Sequence, residues 1–249
     1  MSRYTESYMS FFPPLTPVLK KLMLATAGVF VLTYVLGHLS IDVLRLYCWL
    51  YPVAYGGLTP YEVTHHLFLW QLFTYLFLHD GYFHILFNLF ALWMFGSDLE
   101  RLWGGPKFLF YFFLTGVGAA VFDVLVQPTS PVPVIGNSGA IFGILLAFGL
   151  IWPDRPIFLW FVVPVKAKWF VLGVGVIEFL SELGSPGSGI AHLAHLGGML
   201  VGYLYLRGGD FQHRAQSRYQ GWRRAHLRKR FEVYKHRHES EDHPSKWVN

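Results

Sequence analysis

The sequence is poor in charged residues and almost free of cysteine. Charged side chains make up 14% of its 249 residues, whereas soluble domains carry about 25%. Hydrophobic residues account for 53% and the mean hydropathy is +0.38. This balance predicts an integral membrane protein rather than an ordinary soluble domain. Cys48 is the one cysteine, so an internal disulfide is excluded.

The apolar residues fall into six segments, which we predict to be membrane-spanning helices. They are 18–38, 83–99, 106–127, 139–152, 167–183 and 189–206. The stretch 157–165 is too short to span and contains Pro164, so we expect it to lie at the membrane interface or to re-enter it. The predicted fold is an all-α membrane protein, with a six-span bundle over residues 1–207. Residues 208–249 form a predicted basic cytoplasmic tail that is partly disordered.

Basic residues are distributed very unevenly over the two sides of this predicted bundle. Six spans put both termini on one side, and 19 of the 20 lysines and arginines fall there, 11 of them from Arg207 onward. Arg45 is alone on the other side. Because basic residues are enriched on the cytoplasmic face, we expect both termini in the cytoplasm. The tail should then bind anionic lipid rather than nucleic acid.

The N-terminus shows neither a cleavable signal nor a transit pattern. We therefore expect a multi-pass protein of the bacterial inner membrane. The long outer loop between the first two spans, about residues 39–82, is rich in aromatic residues and carries little charge. This composition is typical of a segment that lies partly in the membrane interface.

The fourth segment is short and begins with a serine between glycines, in GNSGAIFG (136–143). From Ser138 to Trp152 it rises about 22 Å, against a hydrocarbon core of about 30 Å. Arg155 anchors its inner end, so Ser138 should lie below the outer surface. The loop before it must enter the membrane, where irregular backbone needs shielding by protein or a wet cavity.

Other polar residues are expected at the depth of Ser138. His195 lies about 9 Å below the start of the sixth segment. His84 and Asn88 share one helix face near the outer end of the second. Such a layer indicates a site, although polar residues that only join helices by hydrogen bonds remain an alternative. Small residues that would let two helices approach closely flank the layer: Gly139, Gly143, Gly198 and Gly202.

A serine and a histidine at one depth suggest nucleophilic catalysis. His195 would take the proton of Ser138 and return it to the leaving amine. The Ser138 N–H and the side chains of His84 and Asn88 would stabilise the oxyanion. We take Asp123 to be the one carboxylate well inside a span and give it a structural role. We therefore expect a Ser138–His195 dyad without a carboxylate partner.

These motifs resemble those of the rhomboid intramembrane serine proteases, over about residues 13–206. The resemblance rests on HxxxN (His84, Asn88), GxSG (Gly136, Ser138, Gly139) and HxxGxxxG (His195, Gly198, Gly202), in this order on the second, fourth and sixth spans. It implies a serine endopeptidase with no metal or cofactor. It also implies cleavage of single-span membrane proteins near the outer face, with access gated by the fifth span and the loop 183–189.

One position departs from the family pattern. Phe142 stands four residues after the serine, where the family often has a tyrosine that stacks on the base, so the ring is kept and the hydroxyl is lost. Two other functions stay open from the sequence. One is a catalytically inactive relative that acts as a membrane-protein binder or chaperone, and the other is a transporter.

Overall fold

The computed structural model describes residues 13–35, 55–159, 162–184 and 191–208, and this part of the chain is mostly helical. The predicted basic tail beyond Gly208, most of the first half of the outer loop and most of the loop 183–189 lie outside the described residues. Helices and strands follow one another in the order α1 (Pro17–Phe30, continued by a π-helical turn Val31–Val35), α2 (Pro60–His65), α3 (Gln71–Thr74, continued by a 3-10 turn Tyr75–Phe77), α4 (Tyr82–Trp103), α5 (Gly105–Val126), α6 (Ser138–Ile151), β1 (Pro156–Leu159), β2 (Val163–Lys166), α7 (Ala167–Gly184) and α8 (His192–Arg207).

The six predicted segments correspond to α1, α4, α5, α6, α7 and α8, with most ends within a few residues of the prediction. The segment 157–165 takes a form that was not predicted. Its ends belong to an antiparallel hairpin, in which Ile157 pairs with Val165 and Phe158 with Pro164. By length and composition, α5 alone among the described helices could cross a membrane, while α6 is apolar but shorter.

Helix α6 is the centre of the bundle. It is apolar all round, and 10 of its 14 residues are buried, as expected for a helix surrounded by others. It packs against α4, α5, α7 and α8. Its length is about 21 Å, and Gly136 and Asn137, which come just before its first residue, are buried.

Charged residues gather at the end of α6 opposite to Ser138. Arg155 bridges to Asp98 near the end of α4 at 2.6 Å. Asp154 accepts from Lys168 at 2.9 Å and contacts Lys166 at 3.3 Å. These lysines lower the pKa of the exposed Asp154 carboxyl, chiefly through their hydrogen bonds. Arg155, Lys166 and Lys168 therefore put basic side chains at this end of α6.

Helix α7 exposes a broad apolar face. Its side chains Trp169, Leu172, Val176, Ile177, Phe179, Leu180 and Leu183 are each 47–65% exposed. Soluble monomers rarely expose contiguous apolar surface of this kind, which instead marks contact with a membrane or a partner. A lipid environment accounts for this face.

The loop that precedes Ser138 is held by the outer loop. Leu58 and Val134 exchange two backbone hydrogen bonds of 2.9 and 2.7 Å. Tyr61 N–H donates to the Ser130 carbonyl at 3.1 Å. Irregular backbone is tolerated inside a bundle when its polar groups are paired in this way.

Candidate active site

Gly136 sets the start of α6. Its φ of +107° lies in the region that favours glycine, and its N–H donates to the Tyr75 carbonyl at 2.9 Å. A Cβ added at this position would lie 2.7 Å from His84 Nε2. The glycine therefore lets the chain turn beside α4, so that Ser138 becomes the first residue of α6.

Ser138 and His195 meet between α6 and α8. The distance between Ser138 Oγ and His195 Nε2 is 2.7 Å, which is a hydrogen bond of ordinary length. This distance requires close helices, and glycine provides them. A Cβ on Gly198 would collide with the Gly139 carbonyl oxygen, and a Cβ on Gly202 would lie 2.5 Å from the Tyr111 hydroxyl.

Phe142 lies flat against the imidazole of His195. Their ring centroids are 4.2 Å apart and their planes differ by 5°. Since Phe142 is one turn after Ser138 on α6, the helix that carries the hydroxyl also fixes the plane of the imidazole. The stacking uses the ring and needs no hydroxyl.

Glu178 is the carboxylate partner that the sequence reasoning missed. His195 Nδ1 lies 2.9 Å from Glu178 Oε2, and His192 Nδ1 lies 2.6 Å from the same oxygen. The sequence analysis expected no carboxylate beside His195, whereas the structure has the Glu178 carboxylate in contact with it. Asp123 is a second carboxylate inside the bundle, but it accepts from Gln127 Nε2 at 2.9 Å.

A usable signal for Glu178 was present in the sequence. The residue stands in the apolar run VLGVGVIEFL, five residues before the predicted outer end of the fifth segment. A rise of 1.5 Å per residue puts it about 8 Å below that end. The same arithmetic gave about 9 Å for His195, so a complete survey of ionisable residues would have placed both in one layer.

The contacts of His195 select one tautomer of its neutral ring. An ionised carboxylate can only accept, so Nδ1 carries the proton that is donated to Glu178. Nε2 is then unprotonated and faces the Ser138 hydroxyl, which can donate to it. This is the arrangement that a general base needs before it takes a proton.

Two side-chain nitrogens from α4 point at the turn before Ser138. A Cβ on Gly136 would lie 2.7 Å from His84 Nε2 and 3.4 Å from Asn88 Nδ2. The Asp80 N–H donates to His84 Nδ1 at 3.4 Å, which leaves the proton of a neutral ring on Nε2. Asn88 is buried, and its Nδ2 has no partner within the described ranges. Both nitrogens can therefore donate to a new acceptor.

A small cavity of about 40 Å³ adjoins His192, and Asp123, Gln127, Ser130 and Glu182 contribute to its lining. Next to it, Glu178, His192 and His195 present potential metal-ligand atoms within 4.8 Å of one another. A carboxylate with two imidazoles is a ligand set that suits Zn²⁺. In the structure these atoms bond to one another, so their polar groups are satisfied without an ion.

Comparison with known families identifies the chain. A sequence model of the Rhomboid domain matches residues 67–208, which are more than half of the chain and contain all the site residues described above. The chain belongs to the rhomboid family. Membership of this family makes it a membrane protein, in agreement with its composition.

Rhomboid proteins from several sources are similar to this chain. It is 29% identical over 189 residues to "Rhomboid protein 1, mitochondrial" of Saccharomyces cerevisiae, covering 70% of this chain and 52% of the yeast protein. It is 32% identical over 140 residues to "Rhomboid protease GluP" of Bacillus subtilis, covering 54% and 25%. For "Rhomboid protease GlpG" of Yersinia pestis the identity is 29% over 153 residues, covering 58% and 50%. The rhomboid chain thus spans about half, or less, of the length of these three relatives.

Proposed function

We propose that this rhomboid protein is an intramembrane serine endopeptidase that uses Ser138 as nucleophile and His195 as general base. The observation that carries the proposal is the 2.7 Å contact between Ser138 Oγ and His195 Nε2. A serine hydroxyl is a weak nucleophile until an adjacent base removes its proton. The unprotonated Nε2 of His195 lies within hydrogen-bonding distance of the hydroxyl and can accept its proton.

The reaction follows from these contacts. Ser138 Oγ attacks the carbonyl carbon of the scissile peptide bond, and its proton passes to His195 Nε2. When the tetrahedral intermediate collapses, the C–N bond breaks and the proton moves from Nε2 to the leaving amine. A water molecule then repeats the two proton transfers to hydrolyse the acyl-enzyme.

The oxyanion of the intermediate needs donors that are already in place. We assign this role to the Ser138 N–H at the start of α6 and to the side chains of His84 and Asn88. The support is that His84 Nε2 and Asn88 Nδ2 both point at Gly136, two residues before the nucleophile. The unpartnered Asn88 Nδ2 would gain a charge-assisted hydrogen bond only when the oxyanion forms.

We propose a six-span membrane domain in the bacterial inner membrane, with both termini in the cytoplasm and single-span membrane proteins as substrates cleaved near the outer face. The support is that Ser138 begins α6 at the end opposite to the Arg155–Asp98 bridge, since basic residues favour the cytoplasmic face. The basic tail would bind anionic lipid, with no role in nucleic-acid binding. The proposed reaction uses no metal or cofactor.

The test is cleavage of a single-span reporter with a Gly/Ala-rich outer end, reconstituted with the protein in liposomes. Wild-type protein should cut the reporter near its outer end, and Ser138→Ala should abolish cleavage while it still binds the reporter. Retained cleavage in Ser138→Ala would refute the assignment of the nucleophile. Binding without cleavage by the wild type would favour the inactive binder or chaperone.

A further inference from the structure

We propose that Glu178 is a positioning residue for His195, an inference that rests on the proposed serine protease function. Glu178 would hold the imidazole in the tautomer and plane that accept the Ser138 proton. It would also stabilise the imidazolium that forms. The rhomboid chain would then operate with three residues in line, Ser138, His195 and Glu178.

The first support is geometric. The Nδ1 atoms of His192 and His195 converge on a single oxygen, Glu178 Oε2, at 2.6 and 2.9 Å. His192 and His195 are three residues apart on α8, so they lie on one face of that helix. The bond from His192 holds the carboxylate in place, and the carboxylate in turn holds His195.

The second support is the environment of the carboxylate. The side chain of Glu178 is 14% exposed, and those of His192 and His195 are 9% and 11% exposed. A charge so shielded interacts strongly with a neighbouring charge, because little water screens the pair. When the Ser138 proton reaches Nε2, His195 becomes a cation 2.9 Å from the carboxylate oxygen, and this attraction lowers the energy of the intermediate.

The third support is where Glu178 stands on α7. The residues next to it on the outward face are apolar and exposed, and an ionisable residue in such a segment is costly in a membrane. A hydrogen bond that only joined α7 to α8 could be made by a neutral side chain. If the negative charge of Glu178 stabilises the protonated form of His195 during the reaction, the presence of a carboxylate at this position is explained.

Glu178→Gln separates positioning from simple helix attachment. Glutamine keeps the length and one acceptor oxygen, so it can still join the helices. It lacks the charge, and its amide can donate to Nδ1, which would leave the proton of His195 on Nε2, the wrong nitrogen for a base. Positioning therefore predicts a loss in kcat, whereas attachment predicts little change.

The experiment measures kcat and KM for the single-span reporter in liposomes, together with Tm, for four full-length proteins. We expect Glu178→Gln to lower kcat by about 10²- to 10⁴-fold, the usual contribution of a general base, with KM within about threefold and little change in Tm. Glu178→Asp should recover part of that loss. Glu182→Gln, one turn further on α7, is the matched control, since no hydrogen bond joins Glu182 to either histidine in the described part of the chain; it should keep the wild-type kcat.

Several results would overturn the inference. It fails if the wild type cleaves in a Ser138-dependent manner while Glu178→Gln keeps kcat within about threefold. It also fails if Glu182→Gln loses as much activity as Glu178→Gln. If Glu178→Gln does not fold, Glu178→Ala is assayed with and without formate, which supplies a free carboxylate in place of the missing side chain. A rise in kcat on adding formate supports positioning, and no rise contradicts it. Cleavage that persists in Ser138→Ala would instead refute the proposed function.

Discussion

Alanine at Gly198 is expected to separate α6 from α8 and to inactivate the protein while leaving most of its fold intact. A Cβ at this position would collide with the Gly139 carbonyl oxygen, whereas real Cβ atoms stay at least 3.0 Å from such neighbours. The α8 backbone fixes the position of the Cβ and the oxygen belongs to the α6 backbone, so no side-chain rotation relieves the clash. The helices must therefore move apart by about 1 Å, which is enough to weaken or break the 2.7 Å Ser138–His195 hydrogen bond.

Two opposing effects set the size of the change. Alanine gains about 1 kcal/mol of helix propensity over glycine, and overpacking costs about 1–3 kcal/mol. We therefore expect a fall in stability of no more than about 2 kcal/mol. Activity should suffer far more, since a misplacement of about 1 Å at a reacting pair costs about 100-fold in rate.

The assay pairs a thermal melt in detergent with the rate of reporter cleavage in liposomes. Gly173→Ala on α7 is the matched control, because a Cβ there has no neighbour within 4 Å, and it should keep the wild-type rate. A Gly198→Ala protein that cleaves within about twofold of wild type would refute the reasoning. So would a Gly173→Ala protein that loses activity to the same degree.

Further predictions concern the other contacts. Asn88→Ala should lower kcat by about 10²- to 10³-fold with little change in KM, as for other oxyanion donors; a loss below about threefold would exclude that role. Phe142→Tyr should keep the wild-type kcat because it keeps the stacked ring, and Phe142→Ala should lower it; equal rates for both variants would mean that stacking on His195 is unimportant. Glu100→Gln should destabilise the fold by about 1–2 kcal/mol without changing kcat, since the Glu100 carboxylate accepts the Val18 and Leu19 N–H groups at 3.0 and 2.7 Å; an unchanged Tm would contradict this. Cleavage should survive EDTA, and a loss that added Zn²⁺ restores would show that a metal takes part.

The sequence predicted the helices well, because the residues that start, stop and fill a helix lie close together in the chain. Pro17 lies in the first turn of α1, and Pro153 follows the end of α6 by two residues. The depth arithmetic put Ser138 and His195 in one layer because both helices have known ends and a fixed rise per residue. Their 2.7 Å contact depends further on glycine pairs that were visible as small residues at regular spacing.

Other contacts depend on partners far apart in the sequence. The pairing of Leu58 with Val134 and the binding of Glu100 to the start of α1 join elements that no local pattern connects. The β1–β2 hairpin was hidden by an apolar run that periodicity could not assign to strand or helix. Glu178 is a different case, since its depth was available and only its direction towards α8 required the structure.

The central claim is that His195 activates Ser138, and the rate of fluorophosphonate labelling tests it most directly. Labelling followed by mass spectrometry of wild type, Ser138→Ala and His195→Ala measures the nucleophile without any assumption about the substrate. We predict rapid modification of wild type at Ser138, none at that position in Ser138→Ala, and a rate at least about 100-fold lower in His195→Ala. Labelling of His195→Ala at the wild-type rate would contradict the account.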